Sequence, residues 1–283
     1  MMNDLEKREL YSKYTNAQLI ELKDSDYVAA FCLAERCNGC KIKDCEKPLE
    51  LYTKSAEMGY SLAQDSLGII YYYDKQDYEK AFYWFQKAAN QGDDGAQFSL
   101  GDCYYTGNGI EQDYKKAAYW YKKSADQGND FAQLELGLMY KNGIGVKKNY
   151  KKALSLFMEA SENGEMGGQH SANIELAKFY ERGIVVKQDF KKAAELYKEE
   201  AEAGYAEATY KMGYCYRHGH GVEKNYEKAY YWYRKRADID YKSGCALGDL
   251  FCFGMGVKQN YKKAQYWYKK AKENKEWDEQ YGI

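Results

Sequence analysis

The chain has 283 residues, 42 Lys plus Arg against 43 Asp plus Glu, a net charge of −1 and a single proline, Pro48. Near-neutral charge gives no drive toward phosphate backbones, which argues against nucleic acid as a partner. One proline leaves almost the whole chain free to be helical. No window approaches the roughly 18 apolar residues of a membrane span, and the charged start Met1-Met2-Asn3-Asp4-Leu5-Glu6-Lys7 has no apolar run behind it. The expected address is therefore the cytoplasm, with no membrane partner and with reduced thiols as the default for the eight cysteines.

Residues 1–24 read as a polar lead-in with a short capping helix, started by Thr15 or Asn16 and apolar along Leu19, Ile20 and Leu22. From residue 25 a pattern begins to recur. Its first copy is degenerate: Leu33-Ala34 stands for a Leu-Gly pair, Cys37 for a tyrosine, and Pro48 for an alanine. A small-residue marker then returns at Gly68, Gly101, Gly137, Ala177, Gly213 and Gly248, and a Lys-Ala marker at Ala81, Ala117, Ala153, Ala193, Ala229 and Ala264. Recurrence at a step of a few tens of residues means stacked repeats.

Within one copy the period is helical. Ala132, Leu136 and Tyr140 lie on one face of a first helix, and Tyr150, Ala153, Leu156, Phe157 and Ala160 on one face of a second. Gly143-x-Gly145 stops the first helix, because glycine takes the positive φ of a helix C-terminus. Asn149 and its counterparts Asp113, Asp189, Asn225 and Asn260 are of the type that caps the second, and Gly92, Gly128, Gly164 and Gly204 end it. The second copy lacks the Gly-x-Gly loop, carrying Tyr71-Tyr72-Tyr73-Asp74-Lys75-Gln76-Asp77, and the fifth has Ile184-Val185 where the loop's second glycine falls. Residues 272–283 are polar, with Trp277 and Tyr281 four apart, and fit a C-terminal capping segment.

The frame Ala-x3-Leu-Gly-x2-Tyr-x2-Gly-x-Gly-Val-x-Lys-x-Tyr-x-Lys-Ala-x2-Trp-Tyr resembles the Sel-like repeat (SLR) family, a relative of tetratricopeptide repeats, over seven copies in residues 25–271. The resemblance implies an all-α fold, a right-handed α-solenoid of stacked antiparallel helix pairs. It also implies an adaptor that gathers a protein or peptide partner on the concave surface, lined by the first helices. Positions three before, one after and four after the marker point to that side. They give Phe98, Asp102, Tyr105, Leu138, Lys141, Lys178, Glu181, Tyr210, Tyr214 and Arg217 as partner-binding residues, with Asp65, Ile69, Tyr72, Leu134 and Ile174 in the same row. The alternative for Leu134, Leu138 and Ile174 is a place in the core.

Cys32, Cys37, Cys40 and Cys45 fall within one short stretch, as Cys-x4-Cys-x2-Cys-x4-Cys. Four close thiols suit one tetrahedral structural zinc, although the usual second Cys-x2-Cys is missing and Cys32 and Cys37 on one helix would point about 140° apart. A disulfide and unliganded thiols stay open. Cys103, Cys215, Cys245 and Cys252 read as small buried hydrophobes, and His218-Gly219-His220 as a solvated loop. No nucleophile–base, zinc-protease or phosphate-loop signature occurs. The expected function is a non-catalytic protein-interaction scaffold. The alternatives are a thiol- or zinc-dependent regulator and a hydrolase-type enzyme or enzyme inhibitor.

Overall fold

The computed structural model describes residues 2–38, 48–164 and 167–281. Among them are sixteen α-helices, one π-helical turn and no strand, an all-α solenoid in which sequence-adjacent helices of each unit pack on one another. The chain divides into two compact units, Met1–Lys148 and Asn149–Ile283. The first holds α1 (Asp4–Ser12), α2 (Asn16–Leu22), α3 (Tyr27–Asn38), α4 (Pro48–Glu57), α5 (Ser61–Ile69), α6 (Tyr78–Asn90), α7 (Asp94–Thr106), α8 (Tyr114–Ala125) and α9 (Asp130–Asn142). The second holds α10 (Tyr150–Asn163), α11 (Gly168–Arg182), α12 (Phe190–Glu202), α13 (Ala206–His218), α14 (Tyr226–Arg236), α15 (Tyr241–Phe253) and α16 (Tyr261–Tyr281).

The lead-in is two helices rather than one. Asn3 with Glu6 and Thr15 with Gln18 form reciprocal capping boxes that satisfy the first backbone N–H groups of α1 and α2. Second helices start on Asp77, Asp113, Asn149, Asp189, Asn225 and Asn260, each accepting from a backbone N–H in the first turn. Gly164 departs from the expected pattern: it caps α10 in an extended conformation at φ −74°, and the left-handed residue is Gly167. At the C-terminus α16 runs without a break from Tyr261 to Tyr281, so the capping segment continues the last second helix.

The marker glycine makes room for a ring from its own repeat. A Cβ on Gly101 would stand 2.6 Å from Tyr121, and one on Gly213 2.5 Å from Tyr233. The second glycine of the loop joins successive repeats. Its Cα lies against the helix start of the preceding repeat, where a Cβ would come within 2.1 Å of the Tyr78 carbonyl at Gly109, 2.3 Å of Tyr114 at Gly145 and 1.9 Å of Phe190 at Gly221. Two repeats depart from this joint. Where the loop is missing, the π turn Ile70–Asp74 follows α5. In the fifth repeat Val185 takes φ +67°, a costly conformation for a β-branched residue.

Cys103 and Cys215 are buried as expected, but Cys245 is exposed and Cys252 half-buried, because α15 turns that side outward. No helix among the described residues is long and apolar enough to cross a membrane.

Candidate functional site

In the first unit the predicted row gathers around one carboxylate. Tyr121, almost wholly buried with its ring on Gly101, donates its hydroxyl to Asp102 Oδ1 at 2.5 Å. Phe98 lies 5.7 Å from the Tyr121 ring and 5.9 Å from Phe131; Tyr105 lies 5.2 Å from Tyr114 and 6.4 Å from Tyr121. Tyr73, at the end of the π turn and 70 % exposed, is close enough to feel the Asp102 charge. Burial pushes Asp102 up to about 6. Glu135 on α9 is raised as well, first by burial and then by the Asp102 charge. Beside α7, burial and the neighbouring Asp93 and Asp94 push Asp65 up to about 7. Leu138 and Lys141 are half-buried on α9.

In the second unit the same face is cross-linked by ion pairs. Tyr197 donates to Glu181 at 2.9 Å, and Lys211 pairs with the same carboxylate at 2.8 Å while lying 5.6 Å from the Tyr197 ring and 5.7 Å from Tyr214. Tyr268 donates to Asp249 at 2.8 Å, and Arg217 pairs with Asp249 at 2.9 Å. Lys178 bridges Glu175 and Glu207, each at 2.8 Å. Tyr210 stacks 5.8 Å from Tyr233, and Tyr214 4.3 Å from His218.

The ten predicted residues therefore lie on the first helices, but their surroundings differ. Lys178 and Arg217 are already paired within their unit. Leu134 and Ile174, each 7 % exposed, belong to the core rather than to the face. Sequence reasoning passed over Glu135 and Lys211, both two residues before the marker, and Asp249. The signal was available: that position runs Ser66, Ser99, Glu135, Glu175, Lys211, Ala246, changing charge along the chain.

The cysteine stretch lies only partly within the described residues. Cys32 is a free, buried thiol that burial pushes upward, and Cys37 is disulfide-bonded. Cys40 and Cys45 lie outside. Elsewhere, among the described residues, no three potential ligands converge as a metal site would require.

The Sel1 repeat model matches residues 37–60, 61–93, 95–129, 130–165, 170–205, 206–239 and 245–275. Among solved structures the chain is similar to a protective antigen of uropathogenic Escherichia coli with an SLR fold. The identity is 28 %, the TM-score 0.82, and the match covers 93 % of this chain and 58 % of that one. The chain thus spans less than two thirds of the antigen's length. It is also similar to a Sel1 repeat protein from Oxalobacter formigenes at 30 % identity and a TM-score of 0.68, covering 78 % of this chain and 94 % of that one. No curated protein matches the sequence significantly.

Proposed function

The chain belongs to the Sel1 repeat family, and from that premise we propose that it is a non-catalytic scaffold that takes a protein or peptide partner on the face of its first helices, in the cytoplasm. The observation that carries this reading is the set of half-exposed aromatic side chains on that face: Phe98, Tyr105, Tyr210 and Tyr214. A helix in a stack needs large apolar groups only where it meets its neighbours. Aromatics left half in water beside charged groups are the residue type that anchors interfaces.

Capture of a partner from the source cells, followed by affinity measurement, tests the placement. Tyr105→Ala with Tyr214→Ala is expected to weaken binding by about 2 kcal/mol or more, roughly thirtyfold. The control is Lys122→Ala with Lys151→Ala on second helices. An equal loss in the control would place the partner elsewhere.

A structural zinc on Cys32, Cys37, Cys40 and Cys45 is a second, separate proposal, supported by the spacing. Zinc needs thiolates, so the Cys37 disulfide must first be reduced. Reduced protein that retains no zinc after dialysis against the metal would dispose of it.

A further inference from the structure

Three times along the chain a second-helix tyrosine donates its hydroxyl to a carboxylate on the first helix of its own repeat: Tyr121 to Asp102, Tyr197 to Glu181 and Tyr268 to Asp249. In two of the three a cation from an adjacent repeat completes the arrangement. Lys211 comes from the following repeat, two residues before its marker, and pairs with Glu181. Arg217 comes from the preceding repeat, four residues after its marker, and pairs with Asp249. Around Asp102 both places hold something else. The residue equivalent to Lys211 is Glu135, and the residue equivalent to Arg217 is Tyr72, in the repeat that ends in the π turn. No lysine or arginine pairs with Asp102 or Glu135 among the described residues.

We infer that the pair of carboxylates Asp102 and Glu135, the first held by the Tyr121 hydroxyl, receives a lysine or arginine side chain of the bound partner. This rests on the scaffold reading and names the chemistry of the partner. The two completed copies show what this arrangement accepts, since Lys211 is held at once by a carboxylate and by the faces of Tyr197 and Tyr214. The first unit offers the same two kinds of contact. Two neighbouring carboxylates disfavour each other's charge until a cation sits beside them, and charge-assisted hydrogen bonds to an ammonium or guanidinium are the strong ones. Tyr73 feels the charge of Asp102 and Tyr105 that of Glu135, and aromatic rings near two acids suit an organic cation on an alkyl stem better than a hydrated metal ion.

The test pans a library of random peptides about twelve residues long on the full chain and on Glu135→Lys, which supplies internally the cation that Lys211 supplies in the second unit. Peptides enriched on the wild type are expected to share a lysine or arginine beside an apolar residue. Norleucine at that position should cost at least about tenfold in affinity. Glu135→Lys should lose the same peptides while its thermal midpoint stays level or rises, which a misfolded variant would not do. Glu135→Gln should give an intermediate loss. No enrichment of cationic peptides, or cationic peptides that bind Glu135→Lys as well as the wild type, would overturn the inference, as would their displacement by calcium ions. Enriched peptides that lack a cation but are lost on Tyr105→Ala with Tyr214→Ala would sink this inference and leave the scaffold reading standing. Peptides indifferent to both sets of variants would sink both.

Discussion

On the first-helix face of the second unit, Glu181 and Asp249 each meet a tyrosine hydroxyl and a cation from a neighbouring repeat. On the same face of the first unit, Asp102 meets the tyrosine, and its charge reaches a second carboxylate, Glu135. Asp102 and Asp249 stand one residue after their markers and Glu181 four after its own, on helix pairs that are built alike. Two positions carry the difference: two before the marker, where Lys211 in one unit answers to Glu135 in the other, and four after it, where Arg217 answers to Tyr72. A closed face gains internal pairing. An open one keeps desolvated acids that lower stability.

If the contrast is one of charge alone, the stacking should be equally demanding in both units. Gly145→Ala in the first and Gly221→Ala in the second would each press a methyl into a backbone carbonyl while holding a positive φ. Each should cost about 3 kcal/mol or more in denaturant unfolding. A large loss in one unit and none in the other would mean that the units differ in their joints.

Next in size is the charge swap itself. Lys211→Met strands the largely buried Glu181 carboxylate and should cost about 2 kcal/mol. Glu135→Lys should instead stabilise the first unit by about 1 kcal/mol, by neutralising a like-charge contact. Effects of opposite sign at equivalent positions would confirm the comparison, and destabilisation by both would refute it.

Proton linkage gives an effect of defined sign. Asp65 and Asp102 have folded-state values of about 7 and about 6, above their ordinary value. A raised carboxyl contributes stability that is fully present below the unfolded value and is lost as pH rises through the folded one. The groups facing Asp65 are Asp93 and Asp94, and those facing Asp102 are Tyr121, Glu135 and Tyr73. Hydrogen exchange in α5 and α7 should therefore reflect a higher opening free energy at pH 5 than at pH 8, by about 1 kcal/mol for Asp102 and about twice that for Asp65. Asp65→Asn with Asp102→Asn should flatten the difference. The smallest expected change is Val185→Gly, which releases a β-branched residue from positive φ and should stabilise the second unit by up to about 1 kcal/mol.

The helix pairs were legible in the sequence because their causes are local. Glycine markers, Asx caps and 3–4 spacing each act within a few residues, and Asn149 or Asp113 caps its helix whatever lies thirty residues away. The placement of the predicted row on the first helices was legible for the same reason. What escaped was the partner of each charge. Lys211 and Glu181 are thirty residues apart, and nothing near either one says that they meet. The burial of Ile174, which shares a cluster with Ala208 and Met212 of the next repeat, is likewise set from outside its own repeat. The π turn that brings Tyr73 beside Asp102 was visible only as a missing loop.

The glycine seated on the preceding repeat's helix start also bears on how such a chain grows. Each repeat carries one half of two joints: a glycine that fits the repeat before it, and a helix start that receives the glycine of the repeat after it. A duplication of one whole period copies both halves together, and the new copy fits on either side without any change in its neighbours. A duplication that begins or ends inside the period puts a side chain where only a hydrogen fits. A segment such as Ile184-Val185, which has lost the second glycine, marks a place where a further copy would join less well.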